Sequence, residues 1–414
     1  RGERRVRVHG DGGGRGAVIE GDAGEPSIMA HAIMRAPLAF WTLAALCLVV
    51  GAVAFALVVV PRWTRALDPA AGSPRVTGAA LAGAARIGGV AAWWGLAGAV
   101  LRFGEQLGEI ADPSASRGLG VWEGLRAAYP VDALLGTTWG RGWIAQLVGF
   151  LVCALALRRA RRAHAGGVLV AGAGAWRVAL VGAAVLAAAP AWMGHAAADE
   201  GWPVLAHVAD ALHVAAAGVW AGGLALVLLA GLPALVHARR PQRTQAAYAL
   251  VRAFSPAALG AVALLAGSGV VSAGRRLAPV WPARLEELPA AVAATGAYGV
   301  TLGAKLAFVA VAFGLGAWNW RRQTARLRAE GAAPPVRAPE RGTPDAVADV
   351  VAPLDGEAAR FARLGGVELF AAGLALVVTA VLIGTAPPEP PEPGAAPLAH
   401  APDADPPDAA RQTR

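Results

Sequence analysis

Eight times along the chain, apolar residues run on for roughly twenty positions, the length an α-helix needs to cross a hydrocarbon core of about 30 Å. In the 414-residue sequence these runs fall at 37–60, 78–101, 142–158, 174–194, 203–230, 250–273, 298–319 and 366–386. Hydrophobic residues make up 56% of the chain and charged residues only 16%, where a soluble domain carries about a quarter charged. The expected fold is an all-α integral membrane protein, a polytopic bundle of about eight transmembrane helices whose first partner is the lipid bilayer.

The segments between the runs sort by charge. After the first, third, fifth and seventh runs stand Arg62, Arg65 and Arg75; Arg158, Arg159, Arg161 and Arg162; Arg239, Arg240 and Arg243; and Arg321, Arg322, Arg326 and Arg328. The alternate segments are balanced by acids such as Glu105, Glu109, Asp112, Asp199, Glu200, Glu286 and Glu287, with Arg275 and Arg276 the main exceptions. The positive-inside rule then predicts that both termini are outside and the Arg-rich ends cytoplasmic. It also accounts for the net charge of +9. No basic segment is interleaved with stacking aromatics, so no nucleic-acid partner is expected.

Residues 1–35 are Arg-, Gly- and acid-rich and read as a disordered N-terminal extension, within which Met29 and Met34 are candidate start residues. Residues 36–194 form a first four-helix membrane half and 195–386 a second; the Pro- and acid-rich tail 387–414 reads as disordered. An interfacial helix is expected before Pro130, and a flexible connector over 320–365. Cys47 and Cys153 both lie inside apolar runs, and neither a disulfide framework nor a CxxC metal site can be built from them. Without a Gly-rich phosphate loop followed by Lys and Ser or Thr, any transport is expected to be passive, gradient-coupled or tied to a partner.

Against this background the polar residues inside the runs stand out. Counted from Pro203 at about 1.5 Å per residue, His207 lies roughly 6 Å deep, Asp210 about 10 Å and His213 about 15 Å. All three occupy one helix face, with Asp210 within reach of either imidazole. Lys305, the lone lysine, lies about 10 Å deep in the seventh run, level with Asp210. Tyr298, Lys305 and the lone asparagine, Asn319, share a stripe of that helix. Met193 and His195 stand at the outer mouth just before the fifth run, a thioether and an imidazole of the kind that suits Cu(I). Ionisable residues at membrane depth are functional by default. The alternatives are an ordinary interfacial His207, a snorkelling Lys305 and an Asp210 that only pairs with it. Gly218-x-x-x-Gly222, with Gly223, reads as a close-packing face, and Trp220 as packing.

The segments Gly194–Leu224, 253–273, 298–322 and 368–388, in this order and spacing, resemble the copper resistance protein D (CopD) family, and Thr137–Trp143 fits as well. The resemblance implies an eight-span bacterial inner-membrane protein that handles copper. Its pattern falls on His195, Asp210, His213, Trp220, Gly222, Phe254, Ser255, Gly269, Tyr298, Gly299, Lys305, Asn319 and Glu368.

The expectation is a copper permease or importer contributing to copper homeostasis or resistance, without enzymatic activity. His213, Asp210, His195, Met193 and His207 are its candidate metal ligands, and Lys305, Tyr298, Trp220, Asn319 and Glu368 its supporting residues. Since Met-rich segments are lacking, copper would arrive through few ligands or from a periplasmic copper-binding protein. The competing readings are a membrane b-type haem electron-transfer protein and a copper-delivery factor for a cuproenzyme.

Overall fold

A computed structural model describes residues 28–67, 73–111, 135–165, 169–194, 203–239, 242–277, 295–332 and 357–385, with Glu286 and Pro289 between the sixth and seventh helices. The N-terminal extension up to residue 27, the segment before Pro130, residues 333–356 of the connector, His195 and the C-terminal tail lie outside the described residues. Within them the regular structure is helical throughout.

Among the described residues, eight helices are long and apolar enough to span a membrane. Helix α1 runs over Ile28–Ala54, passes through a π turn at Phe55–Val59 and ends with Val60–Ala66; α2 is Ser73–Ala111, α3 Thr138–Ala165 and α4 Leu169–Met193. Helix α5 is the least regular. It begins as Pro203–Ala217, carries π turns at Gly218–Gly222 and Val227–Gly231 around the short α segment Gly223–Leu226, and closes through Leu232–Ala234 into a 3-10 turn at Leu235–His237. Helices α6 (Arg243–Leu277), α7 (Gly296–Ala332) and α8 (Glu357–Ile383) complete the set.

The helices overrun the apolar runs because the flanking residues are good helix formers. Helix α1 starts at Ile28, ahead of the boundary expected at 36, since Met29–Met34 holds neither Gly nor Pro. Helix α7 likewise continues through Arg321 and Arg322 into the expected connector, and ends as Gly331 and Pro334 approach. At the start of α3, the Thr137 hydroxyl accepts the Gly140 N–H at 3.0 Å, a side-chain cap on an otherwise orphan donor.

Helices adjacent in sequence pack against each other from α1 to α8, with α1 and α2 as the first such pair. Helix α1 also contacts α4, α5, α6 and α8 and so sits inside the bundle, and α5 packs further against α2 and α8. Its buried Leu46, Val49, Phe55 and Trp63 anchor the largest apolar core, together with Leu157, Leu226, Leu232 and Leu250. Val181, Val270, Val300 and Phe370 are exposed, as a lipid-facing surface requires.

Lipid tails give no hydrophobic drive between helices, so close backbone approach and hydrogen bonds carry the association. The tightest approach joins α1 to α5. A Cβ at Gly222 would fall on the Cys47 carbonyl oxygen, and one at Gly51 on the Gly222 backbone. Gly218 faces Val50, where a Cβ would come within 2.6 Å of that side chain. Gly223 is packed against Phe254 of α6 in the same way, at 2.8 Å. The small-residue pattern read from the sequence is therefore a packing face on α1 and α6. Tryptophan indoles add cross-links to backbone carbonyls on other helices: Trp41 to Trp94 at 2.9 Å, Trp63 to Ala246 at 3.0 Å and Trp143 to Ala99 at 2.8 Å. Several hydroxyls within the spans donate to their own helix, as Thr42 does to Leu38, Thr301 to Ala297 and Thr379 to Ala375.

Gly222→Ala is expected to force α1 and α5 apart and to cost about 1–3 kcal/mol, the usual range for overpacking. Gly260→Ala, where a Cβ meets nothing within 4 Å, is expected to leave the thermal midpoint of the detergent-solubilised protein unchanged or slightly raised. Equal midpoints for the two variants would contradict the tight crossing.

Candidate functional site

At the acid-balanced end of the bundle a cavity of about 370 Å³ opens between α1, α2, α3, α4, α5, α6, α7 and α8. Its polar lining includes Asp210 and His213 of α5, Ser272 and Arg276 of α6, Tyr298 and Lys305 of α7, and Met193 at the end of α4. Arg102 of α2 and Gln146 of α3 also line it.

The α5–α6 pair builds the centre. Asp210 and His213 are three residues apart, and Ser268, Ser272 and Arg276 four residues apart, so each set projects from one face of its helix. Run antiparallel, the two faces meet in register. Ser272 Oγ donates to Asp210 Oδ1 at 2.9 Å, and Arg276 Nη2 approaches Asp210 Oδ2 at 3.5 Å. One turn deeper, His213 Nδ1 lies 3.1 Å from Ser268 Oγ. The Ser268 hydrogen is directed to the Leu264 carbonyl at 2.7 Å, so the hydroxyl oxygen is left as an acceptor. The Nδ1–H tautomer of His213 completes this contact, and in that tautomer Nε2 is the ring atom with a lone pair to offer a metal. Gly269 supplies a flat surface for the ring, with the position of a missing Cβ only 3.4 Å from His213 Cε1.

The cavity is positively biased. Among the described residues, Asp210 is the one carboxylate in its lining, against Arg102, Arg276 and Lys305. Both Asp210 and Arg276 act electrostatically on Lys305. Gln146 is buried, and its Oε1 has no hydrogen-bond partner. Neutral donors are Met193 and His213.

Of the residues singled out from the sequence, Asp210, His213, Met193, Lys305 and Tyr298 share this cavity. His207 does not join them: its Nδ1 turns back to the Pro203 carbonyl at 2.6 Å, within its own first turn. His195 lies outside the described residues. Trp220, Asn319 and Glu368 line a different cavity nearer the Arg-rich end, together with Phe254 and Ser255. Among the described residues no group of three or more His, Cys, Asp or Glu side chains is placed to hold a metal ion. The soft donor types in the lining are the His213 imidazole and the Met193 thioether.

The residues missed by sequence reasoning are Ser268, Ser272, Arg276, Arg102 and Gln146. The first three had a signal, since their spacing of four repeats the face that Asp210 and His213 need. Arg102 and Gln146 had none that a single sequence reveals.

The geometry defines a multi-pass, all-helical membrane protein with a polar cavity inside the bundle. No protein-family profile matches the chain, and neither does any solved structure. It is 34% identical over 159 residues to the copper transport protein CutJ of Bacillus subtilis (strain 168). That similarity covers 38% of this chain and 28% of the relative, so the chain matches less than a third of that protein's length.

Removing either Asp210 or Arg276 leaves the other ion without its partner. The pair is partly shielded, at 21% and 29% side-chain exposure. A double-mutant cycle of Asp210→Ala and Arg276→Ala is expected to give a coupling of about 1 kcal/mol, with the double variant less destabilised than the two single losses added. Strict additivity in thermal unfolding would show that the contact contributes nothing.

Proposed function

We propose that the chain is a copper-handling protein of a bacterial cytoplasmic membrane, and that it acts as a permease importing copper through the cavity lined by Asp210, His213 and Lys305. The observation that carries this reading is the His213 imidazole, held at Nδ1 by Ser268 in a cavity that Met193 also lines. Imidazole and thioether are soft donors suited to Cu(I). The similarity to a protein named for copper transport points the same way.

The charge balance supports selectivity. Hard cations such as sodium, magnesium and calcium bind through negative charge and oxygen donors. Arg276 and Lys305 offset Asp210 and deny them that charge, whereas a soft ion held by nitrogen and sulfur depends on it less. Asp210 in this scheme marks the route of the ion, and the two cations limit occupancy to one. With the Arg-rich ends placed inside by the positive-inside rule, the cavity faces the periplasm. Copper then reaches it from a periplasmic copper-binding protein, because the described residues near the mouth offer few donors of their own.

His213→Ala is expected to abolish copper-dependent accumulation in cells while the protein still inserts in the membrane. Ser268→Ala, which releases the imidazole from its tautomer, should weaken copper binding roughly tenfold. Unchanged uptake in His213→Ala would refute the assignment. Uptake measured with and without a periplasmic donor separates a permease from a delivery factor.

A further inference from the structure

The second cavity, about 500 Å³, has a different chemistry. It lies between α5, α6, α7 and α8, toward the Arg-rich end. Lys305 lines the first cavity and Asn319 the second, and the fourteen residues between them on α7 correspond to about 21 Å along the axis. A dry layer separates the two: Ala216, Leu265, Ala312 and Ala372 are all buried there, and Trp220 packs edge-on to Phe313 with ring centroids 4.8 Å apart.

Its polar lining includes the oxygen acceptors of Glu368, Asn319 and Ser255 beside the N–H groups of Trp220, Trp320 and Arg321. Glu368 is 7% exposed and Asn319 only 4%. Gly316 makes room for the acid: a Cβ there would come within 2.7 Å of Glu368 Oε1. Asn319 lies one turn further along the same face of α7. Its buried Oδ1 has no hydrogen-bond partner among the described residues. The Trp220 side chain is the hydrogen-bonding neighbour of Glu368. Ser255 spends its hydrogen on the Val251 carbonyl at 2.7 Å and keeps its lone pairs free. Arg321 also lines the cavity, but it is exposed, whereas Glu368 and Asn319 are buried.

We propose that Glu368, Asn319 and Ser255 form a second ion site that binds a hard monovalent cation, sodium in the first instance. A buried carboxylate and a buried amide oxygen that lacks a donor are acceptors in want of a positive partner, and an unsatisfied acceptor at this depth is costly. The donor set is all oxygen, which selects hard ions over Cu(I). One carboxylate balances one positive charge; a divalent ion would leave a buried excess, and magnesium also demands a near-octahedral shell. This site is independent of what the first cavity carries.

Equilibrium binding of radiolabelled sodium to the purified full-length protein, freed of metals in detergent, tests the proposal. Saturable binding is expected in the wild type and should be lost in Glu368→Gln, which keeps the volume and an acceptor for Trp220. In Asn319→Leu it should weaken roughly tenfold. His213→Ala should bind sodium as the wild type does, even where it no longer handles copper. The absence of saturable sodium in the wild type, or unaltered binding in both Glu368→Gln and Asn319→Leu, would overturn the site. So would a loss confined to His213→Ala, which would move the ion to the other cavity. Size-exclusion profiles matching the wild type show that the variants are folded.

Discussion

The backbone contact between α1 and α5 at Gly51 and Gly222 is the constraint on which the rest of the bundle depends. In lipid, two helices gain by approaching only when nothing stands between their backbones, and here the Cys47 carbonyl occupies the space of a missing Cβ. The contact holds α5 inside the bundle rather than at its rim. With α1 covering one side of α5, the opposite side, bearing Asp210 and His213, meets α6. The π turn at Gly218–Gly222 falls at the crossing itself, where the widened backbone lies against the neighbouring helix.

From that placement follow two cavities of opposite character along one bundle. The first combines nitrogen and sulfur donors with excess positive charge; the second combines oxygen acceptors with a buried acid. On the proposed reading, each disfavours the ion that suits the other. Selectivity of this kind needs no elaborate coordination shell, only a local balance of charge and ligand softness.

Much of this was legible in the amino-acid sequence, and the misses have physical reasons. Hydropathy finds all eight spans, because lipid burial demands long apolar runs. It misplaces their ends, because Arg321, Arg322 and their successors continue a helix as readily as apolar residues do. Asp210, His213, Met193, Tyr298 and Lys305 were found by rarity and depth. Asn319 was grouped with Lys305 by angle around α7, but angle says nothing of distance along the axis, and the two belong to separate cavities. Arg276 looked like an exception to the charge rule for loops. It is the ion partner of Asp210, and counting charges per loop is blind to a pair formed between helices. His207 shared the face of Asp210, yet its own helix end supplied a nearer partner in the Pro203 carbonyl.

The indole bonds have a consequence for how the chain tolerates change. Trp41, Trp63 and Trp143 each donate to a main-chain oxygen, at Trp94, Ala246 and Ala99. A carbonyl is present whatever side chain follows it, so the accepting positions can vary in residue type without breaking the link. The donors have no such freedom, since no other side chain carries an N–H on so long and rigid an apolar frame. Three helix pairs are thus latched from one side only, and the information that aligns them resides in three tryptophans.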